Sequence, residues 1–492
     1  MTITKPYLII ISGLLFHLVS YAQTNDPRKT YEEFRQQAYQ EYSDFHKLAN
    51  EQYANFLKDA WKRFHSLPAI PKPKEEMVPP VIAPEEDKNK TFENNVVPIK
   101  EIIEPPSPTP VPVPIAPFKE QLQTYEAAVE FSYCGTKCTI RINKEVKSIL
   151  SNLKIDNYNL AKAWTSLSDK EIMNNTIRDC LTLRICKNLC DWAYLNLLSS
   201  FSKAIFGNSN EATLLTSYIY CQSGYKMRIA RDNINIYLLL ASLHCIYDMP
   251  YFKIGNTKYY PFNCDKHQLE ICDASYPQEK PLSLYIPQNQ LFDFNASELR
   301  TLTSKRYSDI NAQVQVNKNM IDFYNTYPTS EINGNAMTRW AMYANTPLDE
   351  NVKKQLYPKL RERIKDLSQL DAANKLLNWV QTAFVYEYDD KVWGHDRAFF
   401  AEETLYYPYC DCEDRAILYT RLIRDLLGLQ TVLIYYPGHL ACAVCFTEDV
   451  VGDCVLLNDK RFVITDPTYI GASVGKTMPD MDNSIAKAII LK

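Results

Sequence analysis

The sequence predicts an α+β fold in two halves, preceded by one helix and a proline-rich segment. Its 492 residues suffice for two domains, and 46% hydrophobic against 23% charged residues is typical of chains that bury a core. Apolar residues recur at helical spacing over residues 118–204 and again from Leu348, and short apolar runs typical of strands follow each helical region. Helices followed by runs of strands favour the α+β class.

Residues 1–22 have the features of a secretory signal. Lys5 supplies a positive start, an apolar run follows, and Ser20 and Ala22 are the small residues that a signal peptidase accepts. A retained membrane anchor is the alternative, although the apolar run is short for one. No later segment is long and apolar enough to span a bilayer. We therefore expect an exported protein, periplasmic or extracellular.

Charge and cysteine content argue against several classes of function. The net charge is −4 and no basic stripe is evident, so nucleic-acid binding is not expected. The 14 cysteines are too sparse to be a disulfide scaffold. Neither Cys134 with Cys138 nor the set Cys264, His267 and Cys272 offers four zinc ligands at a suitable spacing. We therefore predict neither a metal nor a cofactor.

The N-terminal region, residues 23–67, carries one long amphipathic pattern. Its apolar stripe recurs at three-, four- and seven-residue intervals over residues 30–66: Phe34, Ala38, Phe45, Ala49, Phe56, Ala60 and Phe64. No Gly or Pro interrupts the stripe before Pro68. The helix either packs on the main body or binds a second copy or a protein partner.

Residues 68–117 form the proline-rich segment, with 14 of the 28 prolines of the chain. Proline at this density predicts a semi-rigid, extended linker without a core. A helix held at the far end of such a linker is less able to dock on the body. This favours the partner-binding interpretation of residues 30–66.

The remaining chain divides into residues 118–335 and residues 336–492. In the first part, Trp164 and Trp192 fall at helical spacing and are expected in the core, and residues 213–222 continue as a helix. Residues 281–327 are expected to be strand-rich. The predicted strands before them are KMRIAR, NIYLLLAS and a two-part stretch, YFKIGNTKYYPF, that turns at Gly255 and Asn256.

The segment YCDCEDRAILYTRLIRDLLGL predicts a loop followed by a helix from Cys412 to Leu427. Gly428 is suited to cap that helix in the left-handed conformation. Cys412 would lie in the first turn, where free N–H groups and the helix dipole favour a thiolate. Glu413 and Asp414 oppose the thiolate, so a nearby imidazolium must outweigh them. One helix face is apolar: Ala416, Tyr419, Ile423 and Leu426.

Two strands after this helix carry a histidine and an aspartate. TVLIYY predicts a buried strand, Pro437-Gly438 a turn, and HLACAVCF a strand that opens with His439. A hairpin through Asn458-Asp459 follows, and its returning strand ends at Asp466. A cysteine on a helix end, a histidine that can touch its sulfur and a carboxylate that orients the histidine are what nucleophilic catalysis requires.

The motifs C-E-D-R-A, G-H at the start of a strand, and T-D-P-T-Y occur in this order and resemble the transglutaminase-like superfamily. The resemblance covers about residues 340–492 and implies a papain-like core with a nucleophile helix on an antiparallel sheet. It implies that Cys412 is the nucleophile, His439 the general base and acid, and Asp466 the orienting carboxylate. Where the family usually has Gly, two residues before the nucleophile, this chain has Cys410.

Each of these residues also has a structural interpretation. Cys410, Cys442, Cys445 and Cys454 are expected to be disulfide-bonded or buried, and Asp466 could cap the turn before Pro467. The backbone N–H of Cys412 is expected to be one oxyanion donor. Candidates for the second donor are Trp393 and Gln381, whereas Trp379 is expected in the core.

The chemistry predicted for the site is attack of a thiolate on a carbonyl to form a thioester. The preferred function is a peptidase or amidase acting on a peptide or protein substrate, because water is always available to an exported enzyme. The alternatives are a cross-linking acyltransferase of the same chemistry and an inactive binding or scaffold protein.

Residues 412–444 also align without a gap on residues 208–240. In this alignment, and with one later deletion, the three catalytic positions become Asn208, Asn235 and Asn263, none of which supplies the required chemistry. The alignment predicts an inactive transglutaminase-like copy over about residues 180–265, and chance similarity is the alternative. Its five identities in 33 positions pair Ala416, Leu418, Thr420, Ile423 and Gly428 with Ala212, Leu214, Thr216, Ile219 and Gly224.

Overall fold

The computed structural model of the protein describes residues 27–74, 78–84, 93–104, 112–114, 118 and 126–492. The predicted signal, residues 1–22, lies outside them. Within these ranges, no helix has the length and apolar character needed to cross a membrane. The described chain combines α-helices with mainly antiparallel sheets, which confirms the predicted α+β class.

The described chain before residue 207 is mostly helical. Its elements are α1 (Pro27–Asp59), β1 (Trp61–His65), β2 (Glu101–Ile103), β3 (Glu126–Tyr133), β4 (Thr136–Asn143), α2 (Glu145–Leu150), α3 (Asn157–Ser168), α4 (Asn174–Cys186) and α5 (Asp191–Phe206). Trp164 in α3 and Trp192 in α5 are buried, as predicted.

A helix and six strands then complete the first half. They are α6 (Asn210–Gln222), β5 (Met227–Arg231), β6 (Ile236–Ala241), β7 (Cys245–Ile246), β8 (Phe252–Ile254), β9 (Thr257–Phe262) and β10 (Gln268–Cys272). All three predicted strand segments are confirmed, including the turn at Gly255 and Asn256.

The connection to the second half contains little sheet. Its elements are β11 (Arg300–Thr303), β12 (Asn311–Val314), α7 (Lys318–Thr326) and β13 (Ser330–Glu331). The expectation of a strand-rich region over residues 281–327 is therefore wrong. Pro281 and Pro287 lack the N–H group that a strand ladder needs. The apolar residues of this stretch are instead packed into the hydrophobic core.

The second half places helices before its sheet. Its elements are α8 (Thr338–Asn345), α9 (Glu350–Ile364), α10 (Gln369–Ala383), β14 (Val385–Tyr386), α11 (Asp389–Val392), α12 (Ala401–Tyr406), β15 (Tyr409–Cys410), α13 (Cys412–Leu427), β16 (Gln430–Tyr436), β17 (His439–Cys445), β18 (Cys454–Leu457), β19 (Lys460–Thr465) and β20 (Lys487–Ile490).

The two halves contain six-stranded sheets with the same strand order. The second sheet runs β18-β19-β17-β16-β20-β2, and the first runs β8-β9-β6-β5-β10-β1. In both, a helix precedes the central strand, the next strand pairs beside it, and a hairpin returns on the far side. In both, an outer strand from the N-terminal region completes the edge. β2 is parallel to β20, whereas β1 is antiparallel to β10.

The register of the two sheets also agrees. Val432 lies opposite Ala443, and the residues that the ungapped alignment pairs with them, Arg228 and Leu239, lie opposite each other. After the one-residue deletion the agreement continues, because the pair Cys442 and Thr465 matches the pair Leu238 and Phe262. The same register therefore joins β16, β17 and β19 in one sheet and β5, β6 and β9 in the other.

The N-terminal helix differs from its prediction. α1 ends at Asp59, and Phe64 lies in β1, which pairs with β10. The predicted stripe is buried only in part, since Ala49 is 2% exposed whereas Phe34 and Phe56 are 39% and 43% exposed. Tyr53, which is outside the predicted stripe and 1% exposed, packs on α3. The docked part of α1 is therefore an element of the first half, and partner binding through its exposed part stays a prediction.

The proline-rich segment is not a free linker. Leu67 and Ile70 pair with Tyr251 and Tyr247 of the first half. Further along, Val96 pairs with Cys454, and β2 joins the second sheet. The prediction of an isolated spacer is wrong over these residues, because the non-proline residues of an extended segment still offer N–H and C=O groups to neighbouring strands.

The buried core runs through both halves. Tyr324 of α7 stacks on Phe400 with ring centroids 4.2 Å apart, and the boundary predicted between residues 335 and 336 lies between them in sequence. One continuous cluster of buried apolar residues includes members from α1 to β20. The two sheets are therefore joined by packing and not only by the chain.

Candidate active site

α13 places Cys412 at the start of a buried helix. Cys412 is its first residue and is 2% exposed. The predicted apolar face is buried at Ala416, Tyr419 and Ile423. Gly428 ends the helix in the left-handed conformation with φ of 67°, as predicted.

The two residues that follow Glu413 anchor the helix. Asp414 Oδ1 accepts a hydrogen bond from the Phe399 backbone N–H at 2.8 Å. The buried guanidinium of Arg415 donates to the carbonyl oxygens of Gln381 and Phe384, at 3.1 and 3.0 Å. Asp414 and Arg415 therefore hold α13 against the end of α10 and against the loop that precedes α12.

His439 opens β17 and is oriented by Asp466. Nε2 of His439 lies 2.8 Å from Oδ2 of Asp466. The other oxygen, Oδ1, accepts the backbone N–H groups of Thr468 and Tyr469 at 2.8 and 3.2 Å, which fixes the carboxylate. Because Nε2 is engaged, Nδ1 is the nitrogen left to exchange a proton, and it has no hydrogen-bond partner among the described residues.

Cys412 and His439 line the same small enclosed space. Its volume is about 10 Å³, and its lining is Arg339, Trp340, Asp396, Cys412, Glu413, Gly438, His439 and Leu440. The fold therefore brings the predicted nucleophile, base and orienting carboxylate to one end of the second sheet.

The thiol form of Cys412 is favoured in this closed site. Sγ donates to Oε2 of Glu413 at 3.1 Å. Burial raises the pKa of Cys412 well above its ordinary value, and the carboxyl groups of Glu413 and Asp411 raise it further. The backbone N–H of Leu440 lowers it, but by less. The expectation that the helix start favours a thiolate is therefore not met here, because desolvation outweighs the dipole.

A cluster of acids lies beside the thiol. Asp389, Asp396 and Glu413 place oxygens within 4.8 Å of one another, a spacing that could hold a metal ion, as could that of Asp411, Cys412 and Glu413. Desolvation raises the pKa of Asp389 to about 8. Asp396 already lies 3.8 Å from the ammonium of Lys72 and 3.7 Å from Arg339. Lys72 and Arg339 therefore supply positive charge to this cluster of acids.

The two candidates for the second oxyanion donor do not reach the cavity. Gln381 Nε2 donates to the carbonyl oxygens of Asp466, Tyr469 and Ala472, which shapes the loop after the carboxylate. Trp393 packs on Tyr407, with ring centroids 4.8 Å apart. Neither side chain lines the enclosed space.

Trp379 and the other cysteines have structural positions. Trp379 is fully buried and donates to the Leu302 carbonyl, as expected of a core residue. Cys410 accepts from Arg415 at 3.4 Å, outside the cavity lining, and burial raises its pKa to about 11. Cys442 and Cys454 are buried and Cys445 is half-buried, and none of the cysteines in the described chain is in a disulfide.

Arg339 and Trp340 are the site residues that the sequence did not indicate. Both belong to α8 and are 2% and 3% exposed. The indole N–H of Trp340 has no hydrogen-bond partner in the described part of the chain, and the same holds for Nε and Nη1 of Arg339. No spacing connects α8 with Cys412 in sequence, so only the folded chain brings them together.

A second cavity, of about 360 Å³, lies at the corresponding end of the first sheet. Asn208, Asn235 and Asn263 all line it, together with Asn210. Asn210 is the first residue of α6, and its Oδ1 accepts the Ile236 backbone N–H at 2.8 Å.

This contact corrects the ungapped alignment at one position. Leu440, whose N–H contacts Cys412, aligns with Ile236, whose N–H contacts Asn210. An alignment on this contact pairs Cys412 with Asn210 and not with Asn208, because α6 begins two residues closer to its glycine than α13 does.

Comparisons with protein-family models, with curated proteins and with solved structures each find no match to this chain.

Proposed function

We propose that the protein is an exported cysteine hydrolase of the transglutaminase-like type, a peptidase or amidase that acts through a thioester. The observation that carries this proposal is the arrangement of His439. Its Nε2 is held 2.8 Å from Asp466, its Nδ1 has no partner in the described chain, and it shares an enclosed space with Cys412. A histidine oriented in this way beside a cysteine at a helix start suits nucleophilic catalysis.

The proposed reaction has two steps. His439 Nδ1 takes the proton of Cys412, and Sγ attacks the carbonyl carbon of an amide. The C–N bond then breaks, the amine leaves with the proton from His439, and a thioester remains. His439 next takes a proton from water, the hydroxide attacks the thioester, and the acid and the thiol are released. Asp466 stabilises the imidazolium that forms in each step.

The oxyanion has two candidate donors. One is the backbone N–H of Cys412, which no i−4 carbonyl of α13 can accept because the helix begins there. The other is the indole N–H of Trp340, which lines the cavity and is buried without a partner in the described chain. Two such donors in a water-excluded site stabilise a tetrahedral intermediate.

Two other functions are alternatives to this hydrolase. An acyltransferase would use the same residues and an amine in place of water. An inactive binding protein is favoured by the closed cavity and by the raised pKa of Cys412. Detection of an acylated Cys412 separates both enzymes from the binding protein, and the product of a turnover with added amine separates the two enzymes.

The proposal is tested by capturing the acyl-enzyme. The chain is incubated with a pool of peptides and peptide amides, quenched in acid, and its intact mass is measured. We expect a mass increase that is lost in Cys412→Ala and retained in Cys445→Ala, a matched variant of a half-buried cysteine on β17. His439→Ala should slow turnover by about a hundredfold or more. Acylation that persists in Cys412→Ala would refute the assignment.

We further propose that the first half is an inactive copy of the second. The shared strand order, the shared register and the asparagine-lined cavity support it. Asparagine supplies neither a thiolate nor a base at neutral pH. Asn210→Ala should therefore leave turnover unchanged, and in an experimental structure β5, β6, β8, β9 and β10 should superpose on β16–β20 strand for strand. A different strand order would rule out the duplication.

A further inference from the structure

The enclosed space at Cys412 is too small for a substrate. Its volume of about 10 Å³ compares with about 300–1,000 Å³ for pockets that bind small molecules. Cys412 and His439 are each 2% exposed. A peptide carbonyl can reach the sulfur only if a neighbouring element moves.

The neighbouring element is part of the proline-rich segment. We call residues 66–74 and 78–84 the strap. Lys72 of the strap donates from Nζ to the backbone carbonyl of Asp396 and lies 3.8 Å from its carboxylate. The backbone N–H of Val78 donates to the carbonyl of Gly438 at 2.9 Å. Asp396 and Gly438 both line the space at Cys412, so the strap is attached to its wall at two points.

The next residues of the strap cover the loop that follows Asp466. The N–H of Ala83 donates to the Ile470 carbonyl, and the N–H of Ile470 donates to the Val81 carbonyl, each at 2.8 Å. Three apolar strap residues also pack on that loop and on Met478, forming one small cluster: Val78, Val81 and Ala83 against Tyr469, Ala472 and Met478.

The strap is continuous with sheet strands on both sides and is partly exposed between them. β1 precedes it in the first sheet, and the chain after it joins the second sheet through β2. In between, Val78 and Val81 are only half-buried and Ile82 is 78% exposed. Lys72 and residues 78–84 belong to neither sheet, so they can separate from the site while both sheets stay intact.

We infer that the strap is an autoinhibitory element, and that the chain in this conformation is a latent form whose active site opens when the strap is displaced. This inference rests on the proposed function, since it concerns access to the same cysteine. Displacement removes Lys72 from Asp396 and the Val78 contact from the turn that carries His439.

The test is the rate at which iodoacetamide alkylates Cys412 at neutral pH, measured by peptide mass spectrometry because other thiols also react. Lys72→Ala removes the contact with Asp396, and Val78→Pro removes the N–H that Gly438 accepts. The matched control is Lys74→Ala, an exposed lysine of the strap. The double variant Lys72→Ala with Val78→Pro should react about tenfold faster or more, since losing an ion pair and a hydrogen bond shifts a closed–open equilibrium by that order.

If the proline variant does not fold, the alkylation rate of Lys72→Ala alone decides the test. Thermal melting of each variant shows whether it is folded. An unchanged alkylation rate in folded Lys72→Ala and double variants would overturn the inference. Faster alkylation without acylation by any peptide supports autoinhibition by the strap and counts against the proposed hydrolase activity. Faster alkylation together with a larger acylated fraction than in the unaltered chain supports both.

Discussion

Glu413 controls the ionisation of Cys412 more directly than the helix dipole does. It accepts the hydrogen bond of the thiol, and it raises the pKa of Cys412 more than Asp411 does. A negative charge beside a thiol disfavours the thiolate, whereas a helix start favours it. In this site the two effects oppose each other within the first turn of one helix.

We therefore expect Glu413→Gln to lower the pKa of Cys412. The substitution removes a negative charge and keeps the size of the side chain. The measurement is the pH profile of Cys412 alkylation in the Lys72→Ala background, where the site is more accessible. The profile should move to lower pH relative to Lys72→Ala alone. A profile that does not move would show that burial alone sets the ionisation.

Glu402 of α12 makes stability depend on pH. It is fully buried, accepts from the Asp349 backbone N–H, and its Oε2 has no partner in the described chain. Burial first, and then repulsion from Asp349, raises its pKa from 4.5 to about 8. Between pH 4.5 and about pH 8, Glu402 is therefore protonated in the folded chain and ionised in the unfolded chain. Its contribution to stability is full below pH 4.5 and is lost as the pH rises to about 8.

We expect Glu402→Gln to flatten this pH dependence. One such group changes the free energy of unfolding by about 1.4 kcal/mol per pH unit within its window. Urea unfolding at about pH 5 and about pH 8 measures the slope, with the exposed Glu362→Gln as the matched control. The Glu402→Gln variant should lose less stability between the two pH values than the unaltered chain. An equal loss would assign the slope to other groups such as Asp389.

At the scale of elements, the second part of α1 is a structural helix of the first half. Tyr53 packs on Trp164 with ring centroids 4.7 Å apart. Asn50, 1% exposed, accepts from the Trp164 indole N–H and from Gln222, both at 3.0 Å. A polar side chain buried among aromatic rings and fully engaged in this way orients the helix on α3. Deleting residues 27–59 should therefore unfold the first half.

Tyr53→Ala isolates this contact. Truncating a buried aromatic side chain to Ala typically costs about 3–5 kcal/mol, because burial is lost and a cavity forms. The measurement is the free energy of unfolding in urea. Tyr42→Ala, on the same helix at 50% exposure, is the matched control and should change little. Equal effects of the two substitutions would mean that α1 does not dock through this face.

At the scale of the whole molecule, the two sheets depend on each other and on the N-terminal region. Tyr324 and Phe400 stack across the predicted domain boundary, and Arg300 donates to the Leu405 carbonyl at 2.8 Å. β2, which precedes both halves in sequence, forms the edge of the second sheet. The candidate catalytic half is therefore incomplete without residues that lie far before it.

We expect residues 336–492 alone to fail to fold into a stable domain. This fragment lacks Tyr324 and Tyr327, which pack on Phe400, and the strand that pairs with β20, so it exposes apolar surface and an unpaired edge. Circular dichroism and limited proteolysis of the fragment, beside the full chain, provide the measurement. A protease-resistant monomer with a cooperative melt would contradict this expectation.

The sequence by itself determined the local features of this protein. The helix from Cys412 to Leu427, its glycine cap, the Pro437-Gly438 turn and the strands before and after His439 follow from spacing and turn chemistry, which act over a few residues. The internal alignment also predicted paired strands whose register the two sheets share. These features are local or repeated, so a single sequence is enough to predict them.

Only the tertiary structure decided which surfaces meet. The buried face of α1 depends on Trp164 and Gln222, which are far away in sequence, and Phe56 is exposed because the helix docks through Tyr53 instead. The lining of the site by Arg339 and Trp340, and the attachment of the strap to Asp396 and Gly438, likewise depend on long-range packing. The largest effect on the ionisation of Cys412 is burial, which is a property of the assembled core, and the adjacent acids Glu413 and Asp411 add to it.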